Sequence, residues 1–133
     1  MSNTKATGVA YLDPEFSTCY ATEEIGYASG AQGTVTQATD KTTGVTLNKS
    51  AGRITMNAAS LAANTAVSFT LTNNTISTND AIIVNVSGGG TAAAYTTYIS
   101  SMAAGSAVVT LRNLTGGALA EAVVLNFAII HGA

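Results

Sequence analysis

Ser60-Leu61-Ala62-Ala63-Asn64-Thr65-Ala66-Val67-Ser68-Phe69-Thr70-Leu71-Thr72-Asn73 reads as a turn that runs into a strand. Asn64 is a residue type that tolerates a left-handed backbone, and small residues surround it. Val67, Phe69 and Leu71 then alternate with Ser68, Thr70 and Thr72. That period of two puts one face on a core and the other in water. A near copy follows at Ser101-Met102-Ala103-Ala104-Gly105-Ser106-Ala107-Val108-Val109-Thr110-Leu111-Arg112-Asn113. It is one residue shorter, and Gly105 stands in the turn. Two turn-plus-strand units of one design predict two equivalent corners of one β architecture.

Working outward, the rest of the chain from Gly33 divides in the same way. Short strands are expected at 34–37, 45–47, 53–57, 66–72, 81–87, 94–100, 107–112 and 122–131, with turn residues between them. Eight such segments predict an all-β fold: short antiparallel strands in a jelly-roll-like β-sandwich. Gly88-Gly89-Gly90 reads as a flexible hairpin connection, and 118–122 as loop rather than helix. In the last strand Val123, Leu125, Phe127 and Ile129 share one face. Val124, Asn126, Ala128 and Ile130 share the other, which is unusually apolar for an open sheet and points either to cover by a neighbouring subunit or to an ordinary central strand within a monomer.

Residues 1–32 differ in kind and form an N-terminal extended arm on the sandwich domain of residues 33–133. The arm holds the single proline, three of five tyrosines, and four acids against Lys5, a net −3; the remainder is net +1. Tyr11, Leu12, Phe16 and Tyr20 are large groups in a polar setting. They either pack back onto their own domain or serve as anchors on another protein.

Composition excludes much. The chain of 133 residues is 47 % hydrophobic, largely through alanine, and only 9 % charged. Its net charge of −2 gives nucleic acid and acidic membranes nothing to grip. Cys19 is the one cysteine and His131 the one histidine, so neither a disulfide nor a metal cluster is expected, and no cofactor. No run approaches the ~18 apolar residues of a membrane span, and no secretory signal opens the chain, so a cytoplasmic origin is expected. Asp40 and Asp80 are turn residues, His131 a terminal polar residue, and Cys19 an unactivated thiol. Nothing in the sequence points to an enzyme. Asn48-Lys49-Ser50 and Asn113-Leu114-Thr115 match the glycosylation tripeptide without a secretory context.

Three runs carry a family resemblance: Thr34-Val35-Thr36-Gln37-Ala38-Thr39-Asp40-Lys41-Thr42-Thr43-Gly44-Val45-Thr46-Leu47-Asn48-Lys49, then Arg53-Ile54-Thr55-Met56-Asn57, then Ala118-Leu119-Ala120-Glu121-Ala122-Val123-Val124-Leu125-Asn126-Phe127. They resemble a module in virion proteins of tailed bacteriophages, especially cyanophage-like short-tailed phages. The resemblance covers roughly residues 33–132 and leaves the arm outside. It implies a β-rich, usually trimeric capsid decoration or cement protein on the virion exterior, made in the host cytoplasm, without catalytic residues. Beside that resemblance, the arm is expected to reach the major capsid protein or neighbouring copies through Tyr11, Leu12, Phe16 and Tyr20 while the β domain holds the homotrimer. Head- and tail-fibre proteins carry similar modules, so the alternative is a receptor-binding domain for a host surface glycan.

Overall fold

The computed structural model describes residues 15–132. Eight strands form two four-stranded sheets packed face to face: β1 Gln32–Thr36, β2 Val45–Thr46, β3 Ala51–Thr55, β4 Ala66–Thr72, β5 Ala81–Gly88, β6 Tyr95–Ala103, β7 Ser106–Asn113 and β8 Val124–Ile130. One sheet has the order β1-β3-β8-β5, the other β2-β4-β7-β6. The all-β sandwich expected from the alternation is therefore present, with strand bounds close to those read from the sequence.

The expected antiparallel pairing does not hold at two places. β1 and β3 pair in parallel, as do β2 and β4. The reason lies in the path. The first four strands alternate between the two sheets. A chain that leaves a sheet and comes back after one strand elsewhere returns pointing the same way. Beyond this point the pairing is antiparallel throughout: β3 with β8, β8 with β5, β4 with β7, β7 with β6. Each sheet thus repeats one plan of a parallel pair followed by two antiparallel ones.

The twin stretches occupy equivalent places. β4 and β7 pair with each other, Ala66 opposite Arg112 and Thr72 opposite Ser106. Their ends are closed by matching bonds, from Asn73 N–H to the Gly105 carbonyl (2.9 Å) and from Asn113 N–H to the Thr65 carbonyl (2.9 Å). The turns ahead of them use left-handed residues, Asn64 at φ 55° and Gly105 at φ 80°. Asn73 and Asn113 are both fully buried. Each carboxamide oxygen accepts two bonds from the threonine two residues on: Thr75 N–H (3.0 Å) and hydroxyl (2.8 Å), and Thr115 N–H (2.9 Å) and hydroxyl (2.8 Å). These are Asx turns, which stop the strand by offering the backbone a competing partner. The tripeptide at Asn113 is thus a strand-end device with its amide sealed inside.

The inner faces meet in one core. Ile54, Leu71, Leu111, Val123, Leu125 and Ile129 have no exposed surface, and Phe69 and Phe127 almost none. Phe127 sits opposite Gly52 in the register, and a Cβ at Gly52 would lie 3.0 Å from its ring and 2.8 Å from the Gly33 carbonyl. Gly52 leaves room for that ring, and both glycines leave room for Leu47, which a Cβ would meet at 2.9 Å from Gly33 and 2.7 Å from Gly52.

Gly88-Gly89-Gly90 is neither a hairpin nor loose. β5 and β6 belong to different sheets, so the run turns a corner between them. Gly89 has φ 72°, and a Cβ there would fall 2.2 Å from the Ala122 carbonyl. The expected loop at 118–122 is found, tied to the body by Leu61 and Leu119, which exchange backbone bonds of 2.8 and 3.0 Å.

Candidate interaction surface

The arm and the sheet it springs from form the candidate surface. A 3-10 turn, Ser29–Ala31, leads into β1. The root is tied down: Lys49 Nζ donates to the Gly30 carbonyl (2.8 Å), Gln32 Nε2 to the Tyr27 carbonyl (2.7 Å), and the Tyr27 hydroxyl to the Ile129 carbonyl on β8. Upstream the chain leaves the sandwich. Every residue from Glu15 to Gly26 is exposed. Phe16 is 68 % exposed, Tyr20 88 % and Ile25 91 %. Of the four expected anchors, Phe16 and Tyr20 therefore stand in solvent rather than on their own domain. Tyr11 and Leu12 lie outside the described residues. Ile25 was missed from sequence, and its apolar side chain between polar neighbours was the available signal. Cys19 is exposed on the same segment.

The outer faces of the two sheets differ. On β4, β7 and β6 the outward residues are mostly hydroxylic. Ser68 and Thr110 bond at 2.7 Å, and the Thr110 hydroxyl donates to the Ser100 hydroxyl at 3.0 Å. Such a surface satisfies itself and water. On β3, β8 and β5 the outward rows read Ala51–Ala128–Ile83 and Ile130–Ala81. Ile83 is 56 % exposed and Ile130 59 %. Beside them runs a polar row, Thr34–Arg53–Asn126–Asn85, with Arg53 Nε donating to Asn126 Oδ1 at 3.3 Å. A hollow of about 430 Å³ opens there, lined by Gln32, Thr34, Arg53, Asn126 and Phe127 with Gly33 and Gly52.

The two ends of the sandwich are closed by polar locks that sequence reading missed, because residues far apart in the chain make them. At one end Lys41, buried to 3 % exposure, donates Nζ to the carbonyls of Asn57 and of Glu121 (2.6 Å to the latter). Burial pulls its pKa down, and the Glu121 carboxylate opposes that pull. Glu121 accepts from Thr91 N–H (3.0 Å), the Thr91 hydroxyl (2.8 Å) and the Tyr95 hydroxyl (2.8 Å). The Thr91 bonds are the main reason its carboxyl is held low. Burial, then the Glu121 bond and charge, push the Tyr95 phenol well up. Tyr95 is thus engaged inside, and Tyr98 alone of the two remains as exposed aromatic surface.

At the other end the register sets Asp80 opposite His131, one step past the Ala81–Ile130 pair, while the Ser50 carbonyl accepts from Ile129 N–H. The three side chains form a row. His131 Nδ1 lies 3.2 Å from Asp80 Oδ2, and Nε2 lies 3.1 Å from the Ser50 hydroxyl. Asp80 also accepts from Ser77 N–H (2.8 Å), the Ser77 hydroxyl (2.9 Å) and Gly132 N–H (2.9 Å). The Ser77 backbone bond is foremost in holding its carboxyl down at about 2, against burial. An ionised Asp80 only accepts, so Nδ1 donates to it and Nε2 is left to accept from Ser50. That is the order of a nucleophile, base and orienting acid. Acyl transfer further requires donors around the developing oxyanion and a seat for substrate. The hollow lies at Arg53 and Asn126 rather than at Ser50. The bonds of the row tie segments distant in sequence and clamp His131 and Gly132 beside β3 and β5.

Among the described residues no group of three or more His, Cys, Asp or Glu is placed to hold a metal, and no helix is long and apolar enough to cross a membrane. Comparison with known proteins returns no match, whether to a family model, a curated protein or a solved structure.

Proposed function

We propose that this chain is a surface-covering protein of a bacteriophage head, a decoration or cement protein that trimerises through its sandwich and whose N-terminal arm binds the major capsid protein or neighbouring copies. The observation that carries the reading is the exposure of Phe16, Tyr20 and Ile25 on an arm whose root is bonded to an otherwise closed sandwich. Large side chains with few rotatable bonds, held out in solvent, suit binding rather than folding. Low charge lets copies crowd without repulsion. Three arms on one trimer act together, so weak single contacts sum to firm attachment.

The test is attachment. The full chain is mixed with purified phage heads and sedimented beside a chain lacking residues 1–28, which keeps the turn at 29–31 and β1. The full chain is expected to pellet with heads and the shortened one to stay in the supernatant. Equal pelleting removes the arm from the account. The hollow at Arg53, Asn126 and Phe127, part polar and part apolar, favours a second reading, a fibre domain that binds host surface glycan. Retention of the chain on host polysaccharide rather than on heads would favour it.

A further inference from the structure

We propose that the outer face of the β1-β3-β8-β5 sheet is the seat for the arm of a second copy of this chain. The inference rests on the arm-binding reading above and takes a neighbouring copy as the partner on which the arm lands.

Each half of the contact lacks what the other has. Residues 15–26 carry three large apolar side chains with no cover on their own chain. The sheet carries Ile83 and Ile130, more than half exposed, in rows completed by Ala51, Ala81 and Ala128. The opposite sheet is dressed in hydroxyls at the equivalent positions, so bare methyls are not a general habit of this surface. Charge agrees. Glu15, Glu23 and Glu24 have no cation among residues 15–28, while Arg53 stands in the hollow beside the apolar rows. Position agrees as well. The arm leaves from β1, an edge of this same sheet, and Tyr27 is bonded to β8 at the sheet's end. From there it continues outward, with up to about 45 Å of reach for residues 15–28 when extended. An arm that starts on one copy's sheet and ends on the next copy's makes a head-to-tail contact, which a threefold ring closes.

The native thiol supplies the test. Cys19 lies between Phe16 and Tyr20 and is the only cysteine. A second full-length chain carries Cys19→Ser with Ile83→Cys, so its one thiol is on the sheet. The two chains are mixed, oxidised, denatured and resolved without reductant, and the joined peptides identified by mass. The mixture is expected to give a Cys19-linked heterodimer, at least about tenfold over a mixture using Ser68→Cys on the hydroxyl face, because seated thiols meet at high effective concentration. Asn85→Cys, on the same outer face, serves if Ile83→Cys fails to fold. No heterodimer from either position, or equal yield from Ser68→Cys, overturns the proposal. Protection of the sheet thiol by heads or by polysaccharide, without cross-linking, overturns it too and gives the face to that ligand. Solution mass separates the failures. A trimer without the cross-link sinks this inference alone, whereas a monomer at every concentration sinks the trimer as well.

Discussion

The two sheets share one plan and wear different coats. Both run parallel, antiparallel, antiparallel, and both press Val, Ile, Leu and Phe into one core. Outside, the β4–β7–β6 face shows serines and threonines that bond one another, while the β3–β8–β5 face shows isoleucines and alanines. A core cannot account for outward residues. The difference teaches that one outer face satisfies its own polar groups while the other leaves methyls bare, which is what the proposed arm contact would cover.

Predictions that strain this comparison begin with what the sheets have in common. Phe127→Ala should cost about 3–5 kcal/mol in urea unfolding, since it empties a buried site in the shared core. An unchanged midpoint would mean the inner face of β8 is not core. Next come the twin strand ends. Asn113 donates to the carbonyls of Leu61, Ala62 and Gly117, whereas Asn73 donates to that of Lys49. Either change to Ala should cost about 1–3 kcal/mol by orphaning buried groups, with Asn113→Ala the worse of the two. Equal losses would mean the extra carbonyls find water.

The clamp on β5 and β8 adds a pH dependence. Asp80 is held at about 2 in the fold against an ordinary 3.8. Its pKa is depressed, so its stabilising effect is present above about 4 and is lost as pH falls through about 2. The urea midpoint should decline over that window, and Asp80→Asn should flatten the decline. A curve of the same shape in the variant would assign the loss to other carboxylates. Smallest in stability is Ile83→Ser, which should stay within about 0.5 kcal/mol in the isolated chain because it touches no core. Its effect should appear in assembly, as a weakened trimer or poorer coating of heads.

Much of the sandwich was legible because alternation is local. Val67, Phe69 and Leu71 announce their strand without reference to anything distant, and β4 begins and ends where the pattern does. Parallel pairing was not legible. Nothing in Thr34–Gln37 or Arg53–Asn57 tells that the intervening strand lies in the other sheet. The buried Lys41 and the Ser50–His131–Asp80 row were hidden for the same reason, since register alone brings positions 50, 80 and 131 together. On the surface, the apolar outward face of β8 could be read from Val124, Ala128 and Ile130. Its continuation onto Ile83 needed the pairing of β5. In the arm, Phe16 and Tyr20 stood out by size against polar neighbours, yet only the fold reveals that they are left without cover.

The most direct measurement is cryo-EM of the intact virion at side-chain resolution. The account expects sandwiches on the outside of the head, each with a neighbouring copy's Phe16, Tyr20 and Ile25 lying across Ile83 and Ile130. Sandwiches on the tail, or arms folded back over their own sheet, would contradict it.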